Sequence, residues 1–138
     1  MTVSAWTRRL SFCLLALLLL SAGTTHFLHP EVFVPIIPPA ICWPVAAVYI
    51  SGGAELGLGL ALLVPRLSRR AALGVCVFLV AVFPANVYHW LSGMAVGGMP
   101  APGWYHSVRL PLQGLLIAWA YWLSRSAQPP QAEPARPA

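Results

Sequence analysis

One carboxylate lies in the middle of an apolar, glycine-rich stretch, and it is the residue best suited to do chemistry. The stretch runs from Tyr49 to Leu63, YISGGAELGLGLALL, and the carboxylate is Glu55. At the centre of a membrane-spanning helix an acidic residue costs about 2.5 to 3.5 kcal/mol on insertion scales, so such residues usually face a bundle interior and have a partner. We therefore expect Glu55 to be paired, hydrogen-bonded or protonated.

Five further polar side chains interrupt the other apolar runs. They are His26, Asn86, His89, Arg109 and Gln113. At a rise of about 1.5 Å per residue, all five lie in the half of the predicted helices nearest one side of the membrane. The half nearest the other side is almost entirely apolar. This asymmetry predicts a polar pocket in the outer half of the membrane, with these five residues and Glu55 as its ligand-binding candidates.

The same residues also have structural interpretations. Glu55 and Arg109 could form a buried salt bridge or hydrogen-bond network, or Glu55 could face lipid. Their offset along the helix axis is about 12 Å, so Gln113 and Asn86, which lie between them in depth, could bridge them. Asn86 could instead stabilise a kink at Pro84 or bond to another helix.

The two histidines in these runs could each bond a loop carbonyl at the membrane interface rather than a ligand. A metal site is not expected, because the histidines and the carboxylate lack the close ligand spacing that metal sites use. The three cysteines, Cys13, Cys42 and Cys76, form no CxxC pair, so they are expected to be small apolar packing residues rather than a redox couple.

Composition fixes the class of protein. Of 138 residues, 59% are hydrophobic and 8% are charged, whereas a soluble domain carries about 25% charged residues. The chain therefore belongs in a lipid bilayer. Its net charge of +5 does not indicate a nucleic-acid-binding protein, because the arginines stand at the ends of apolar runs, where they act as topology signals.

Four apolar runs predict an all-α integral membrane protein, an antiparallel four-helix bundle. The predicted spans are about 10–28, 45–64, 71–91 and 107–124, preceded by a cytoplasmic segment, 1–9, and followed by a disordered Pro/Ala/Gln tail, 126–138. The first run begins like a secretory signal. Because it is long enough to span the membrane, we expect it to stay attached.

Topology follows from the positions of the arginines. With four spans, seven of them fall on one side and only Arg109 falls near the other. The seven are Arg8, Arg9, Arg66, Arg69, Arg70, Arg125 and Arg136. By the positive-inside rule we expect both termini of this multi-pass membrane protein to be cytoplasmic.

The connection between the first two runs is apolar but rich in proline. It spans His29–Pro44, HPEVFVPIIPPAICWP, and its five prolines forbid a long regular helix. Unpaired backbone cannot face lipid at depth. We therefore expect this segment to lie in the interface or to fold back over the mouth of the bundle.

Three stretches together resemble the DoxX family of small bacterial membrane proteins: Gly23–Pro39, Tyr49–Asn86 and Arg109–Trp119. The resemblance implies a four-helix membrane fold and a loose association with redox systems. The positions it marks are His26, Phe27, Pro30, Glu55, Pro84, Asn86, Arg109, Pro111 and Gln113.

Three functions fit these observations. The first is an auxiliary membrane subunit that binds a lipophilic small molecule, with quinone as the candidate cofactor, or a membrane partner such as an oxidoreductase. The second is a membrane enzyme in which Glu55 is a general acid/base and Arg109 or Asn86 stabilises charge. The third is an assembly chaperone that meets partner helices through the pair Gly53-x-x-x-Gly57.

The predicted topology can be tested by cysteine labelling in intact cells. The background is a variant with Cys13, Cys42 and Cys76 replaced by alanine, which is expected to keep its fold. A membrane-impermeant reagent should label Gly98→Cys and leave Leu67→Cys unlabelled, because the arginine-rich turn faces the cytoplasm. The reverse pattern would invert the topology and move the polar residues to the cytoplasmic half.

Overall fold

All regular elements of the protein are helical in a computed structural model, which describes residues 4–93 and 103–125. No strand occurs within these two ranges. The predicted tail, 126–138, and most of the Gly/Pro connection before the last helix, including Gly98, lie outside the described residues.

Helix α1 covers Ala5–Leu28. It begins five residues before the predicted span, because Ser4 caps it: the Ser4 hydroxyl accepts a hydrogen bond of 3.2 Å from the Thr7 amide. Helix α2 is a single turn, Pro30–Phe33, and a 3-10 turn, Val34–Ile36, follows it directly. Pro30 suits the first helical position, because the N–H that proline lacks would have no partner there. The prolines that follow prevent the helix from continuing.

The remaining helices are α3, Pro44–Leu63, α4, Ser68–Ser92, and α5, Gly103–Arg125. Helix α4 ends at Gly93, whose φ of 61° is the left-handed conformation that favours glycine after a helix. Helices α4 and α5 extend beyond the predicted spans at both ends, because helical hydrogen bonding continues into the polar residues that flank an apolar run. Pro84 and Pro111 lie within α4 and α5.

Three of these helices, α1, α3 and α4, are long and apolar enough to cross a membrane. Helix α5 has 23 residues, but polar residues such as Arg109 and Gln113 interrupt its first half. The chain is therefore an all-helical protein with at least three helices suited to a bilayer.

The long helices pack in two pairs. Helix α1 packs along α3, and α4 packs along α5. The pairs meet mainly through α3 and α4, whereas α1 and α5 touch only lightly. At one end, the Arg69 guanidinium donates a 3.0 Å hydrogen bond to the Ser124 carbonyl, which fixes the start of α4 to the end of α5.

The hydrophobic core fills only one half of the helices, the half that carries most of the arginines. It is built from the first part of α1, the end of α3, the start of α4 and the end of α5. Leu15, Leu62, Val75 and Leu123 are almost completely buried there. Cys76 is buried beside them, and Cys13, Cys42 and Cys76 are all free thiols.

Glycines set the close approach of α1 and α3. A Cβ at Gly52 would lie 2.7 Å from His26 Cβ and 3.1 Å from the Gly23 carbonyl oxygen. Gly53 and Gly57, the pair with GxxxG spacing, have no such neighbour within 4 Å. The internal helix crossing therefore uses Gly52, and the GxxxG pair points away from it.

The close crossing of α1 and α3 predicts that alanine substitutions at two adjacent glycines differ in their effect on stability. Gly52→Ala should lower the free energy of unfolding in detergent by about 1–3 kcal/mol, because overpacking must push α1 away from α3. Gly53→Ala should cost nothing, since alanine favours a helix and meets open space. The two variants are compared by thermal or denaturant unfolding; equal stability of both would mean that the helices do not cross at Gly52.

Candidate functional site

A cavity of about 310 Å³ occupies the half of the helices that the core leaves unfilled. Helices α1, α3, α4 and α5 form its walls, and Phe33 of α2 and Ile36 of the following 3-10 turn also line it. Five of the six predicted site residues line it: His26, Glu55, Asn86, Arg109 and Gln113. The sixth, His89, is not among the lining residues.

Glu55 is buried in the wall of this cavity, with 9% of its surface exposed. Its Oε2 atom lies 3.1 Å from His26 Nδ1. The same Nδ1 is 2.8 Å from the Ala22 carbonyl oxygen, which can only accept, so Nδ1 carries the proton and directs it to that carbonyl. Glu55 Oε2 therefore accepts no hydrogen bond from any described residue.

His26 is held in place by an aromatic ring as well. The Phe33 ring stacks on the imidazole, with centroids 4.0 Å apart and planes 16° from parallel. This contact explains how the proline-rich segment folds back over the helix ends, as the sequence predicts. Sequence reasoning missed the pairing itself, although the apolar residues after His29-Pro30 are a signal for such packing.

Two amides connect α4 to α5 at the depth of the cavity. Asn86 Nδ2 donates to Gln113 Oε1 at 2.7 Å, and Gln113 Nε2 donates to the Leu79 carbonyl at 2.7 Å. Leu79 precedes Val80, whose carbonyl loses its usual donor because Pro84 has no N–H. Asn86 thus has the interhelical hydrogen bond that was one of its two interpretations, and Gln113 contacts the backbone near the proline turn.

Arg109 bonds to a histidine and not to Glu55. Its Nη1 lies 2.8 Å from His89 Nδ1, and because a guanidinium can only donate, this nitrogen of His89 is the acceptor. The guanidinium also lies 5.9 Å from the centre of the Tyr105 ring, within the range of a cation–π contact.

The structure corrects one expectation about these residues. Among the described residues no salt bridge joins Glu55 to Arg109, and Asn86 and Gln113 bond to each other instead of bridging that pair. His89 is completely buried and its Nδ1 accepts from Arg109, while a further bond to a loop carbonyl stays a prediction because residues 94–102 lie outside the described ranges. The hydrogen-bond partners depend on the rotation of each helix about its axis. The position of a residue along the axis does not define that rotation.

A second pocket of the described chain has a different character. A surface depression of about 480 Å³ at the start of α3 is lined by Cys42, Trp43 and Tyr49 among others, without a charged side chain. Within the described ranges no group of three His, Cys, Asp or Glu residues could hold a metal ion. The cavity around Glu55 is therefore the candidate functional site.

These features define an all-helical protein with three helices long and apolar enough to cross a membrane and a polar cavity among its helices. The chain belongs to the family described as a domain of unknown function (DUF8561), whose model matches residues 15–124. The match includes all six predicted site residues. No curated protein and no solved structure matches the chain.

The geometry predicts that Glu55 couples energetically to His26 more strongly than to Arg109. We expect a double-mutant cycle of Glu55→Gln with His26→Phe, which keeps a ring to stack on Phe33, to give an interaction free energy of about 1 kcal/mol or more. The cycle of Glu55→Gln with Arg109→Gln should give a smaller value, measured by denaturant unfolding in the same detergent. A larger value for the Arg109 cycle would restore the pairing expected from the sequence.

Proposed function

We propose that the protein is an integral membrane four-helix bundle that binds a lipophilic small molecule in the cavity around Glu55. One observation carries the proposal: an apolar cavity of about 310 Å³ into which a few polar groups converge. Binding sites for small molecules have this size and this character, with mainly hydrophobic walls and a small number of placed polar groups.

The membrane arrangement rests on the helices and the arginines together. Helix α5 packs along α4 and supplies the fourth member of an antiparallel bundle. Arg8, Arg9, Arg66 and Arg125 stand at the packed end of the helices, which favours a cytoplasmic location for that end and for both termini. The cavity then opens in the outer half of the bilayer of a bacterial inner membrane.

The resemblance to the DoxX family supports a redox-associated role. A quinone fits the chemistry of the cavity: its ring and isoprenoid tail match the walls formed by Phe33, Phe78 and Leu116. Its carbonyl oxygens are acceptors for a donor such as Arg109. In this role the protein is an auxiliary subunit that presents the ligand to a membrane partner, for example an oxidoreductase.

The enzyme alternative has one specific observation in its favour. Glu55 Oε2 is buried, accepts no hydrogen bond from a described residue, and lies 3.1 Å from an imidazole nitrogen. A carboxylate and a histidine at this separation can exchange a proton with a bound molecule. Glu55 would then be the general acid/base for an apolar substrate.

Native mass spectrometry of the purified protein tests whether the cavity is occupied. We expect the wild-type protein to retain a small lipophilic molecule, Val82→Trp to lose it, and Val80→Trp to keep it. Val82 lines the cavity, whereas Val80 is two residues away on the same helix and is 58% exposed.

The comparison of the two tryptophan variants distinguishes a molecule bound in the cavity from lipid that adheres to the surface. A bound mass that is the same in both variants, or lost from both, would contradict the assignment of the cavity. The bound molecule itself, identified by its mass and absorbance, decides whether a quinone is present.

A further inference from the structure

We propose that the cavity selects electroneutral amphiphiles that carry a hydroxyl group, and that Glu55 is the residue that determines this specificity by accepting the hydroxyl hydrogen. The inference rests on the proposed function, since it requires that the cavity bind a lipophilic molecule. It adds the chemical class of the polar end of that molecule and the atom that recognises it. Of a quinone and its reduced form, only the reduced quinol carries the hydroxyl that this selection requires.

The first step is the unfilled acceptor. An ionised carboxylate has no hydrogen to donate and offers several acceptor positions on its two oxygens. Oε2 of Glu55 is buried without a hydrogen bond from any described residue, and a buried acceptor left without a donor is costly. A bound molecule that brings a donor to this atom removes that cost, so donor-bearing molecules gain affinity that others do not.

The second step is that the donors already present in the cavity are directed elsewhere. The His26 Nδ1 proton points to the Ala22 carbonyl, and Asn86 Nδ2 and Gln113 Nε2 donate to Gln113 Oε1 and to the Leu79 carbonyl. The Arg109 guanidinium and the Ser51 hydroxyl also line the cavity, but neither donates to Glu55 Oε2, so a bound ligand can supply the missing donor.

The third step concerns charge. Arg109 and Glu55 line the same cavity. An amine cation bound at Glu55 would therefore be held near the guanidinium as well, and an anion bound at Arg109 would be held near the carboxylate, so each ion would meet a like charge beside its partner. A neutral molecule meets neither penalty, and a hydroxyl oxygen can in addition accept from a donor such as the guanidinium.

The remaining walls define the body of the ligand. Phe33 and Phe78 supply aromatic surface, and Leu112 and Leu116 supply aliphatic surface. These walls suit an aryl or alkyl body. An alkylphenol combines such a body with a single O–H and no charge at neutral pH.

A matched pair of probes tests the inference: 4-nonylphenol and its methyl ether, 4-nonylanisole, which differ only in the hydroxyl hydrogen and a methyl group. Titration calorimetry in mild detergent should give a Kd for the phenol that is at least about tenfold lower, as expected for a hydrogen bond to a charged acceptor. In Glu55→Met, which keeps the side-chain length, the ratio should fall towards one. In Val80→Trp it should stay unchanged.

The same measurements also identify the results that would contradict the inference. Equal Kd values for both probes in the wild type, with both lost in Val82→Trp, would overturn the hydroxyl specificity and leave the proposed function standing. Failure of both probes to bind the wild type would overturn the two together. A preference for the phenol that persists in Glu55→Met would overturn the role of Glu55, and tighter binding of decylamine than of the phenol would overturn the selection of neutral ligands. If Glu55→Met does not fold, Glu55→Gln, with a neutral acceptor, should give an intermediate ratio.

Discussion

The burial of a carboxylate among apolar helices is the constraint on which the rest of this structure depends. Glu55 cannot be solvated by hydrocarbon, so the residues around it must either satisfy it or leave polar space beside it. In this protein, polar space is left beside Glu55. The protein brings His26 close through the glycine crossing of α1 and α3, yet gives the imidazole proton to a backbone carbonyl.

The two halves of the molecule serve different physical purposes. In the half with most of the arginines, small and aliphatic residues such as Ala16, Ala72 and Val75 pack without exposure, and this packing holds the four long helices together. In the other half α1 and α3 still cross closely at Gly52, a cavity remains among the four helices, and polar contacts such as Asn86 with Gln113 connect α4 to α5. Stability and chemistry are thus separated along one helix axis.

Much of this architecture could be predicted from the sequence, for reasons that particular residues make clear. Helices are determined by apolar runs and their local ends, so Ser4, Pro44 and Gly93 mark boundaries within a few residues of those expected. Depth along a helix follows from residue counting, which is why Glu55 and Gln113 could be assigned to one pocket.

Partners within the pocket could not be predicted in the same way. The rotation of each helix about its axis decides whether Arg109 meets Glu55 or His89. That rotation depends on packing contacts such as Gly52 against His26, which have no signal in the local sequence. The stacking of Phe33 on His26 likewise depends on how the four-residue helix α2 folds back. The prolines of this segment allow that arrangement but do not determine it.

The closed packing beneath the cavity has a consequence for the kind of activity that this fold can support. Because Leu15, Leu62, Val75 and Leu123 are almost completely buried below it, the cavity is closed at that end by the described residues. If the helices cross a membrane as proposed, a molecule that enters the cavity leaves by the side from which it arrived. This geometry fits the proposed binding of a lipophilic molecule better than its permeation.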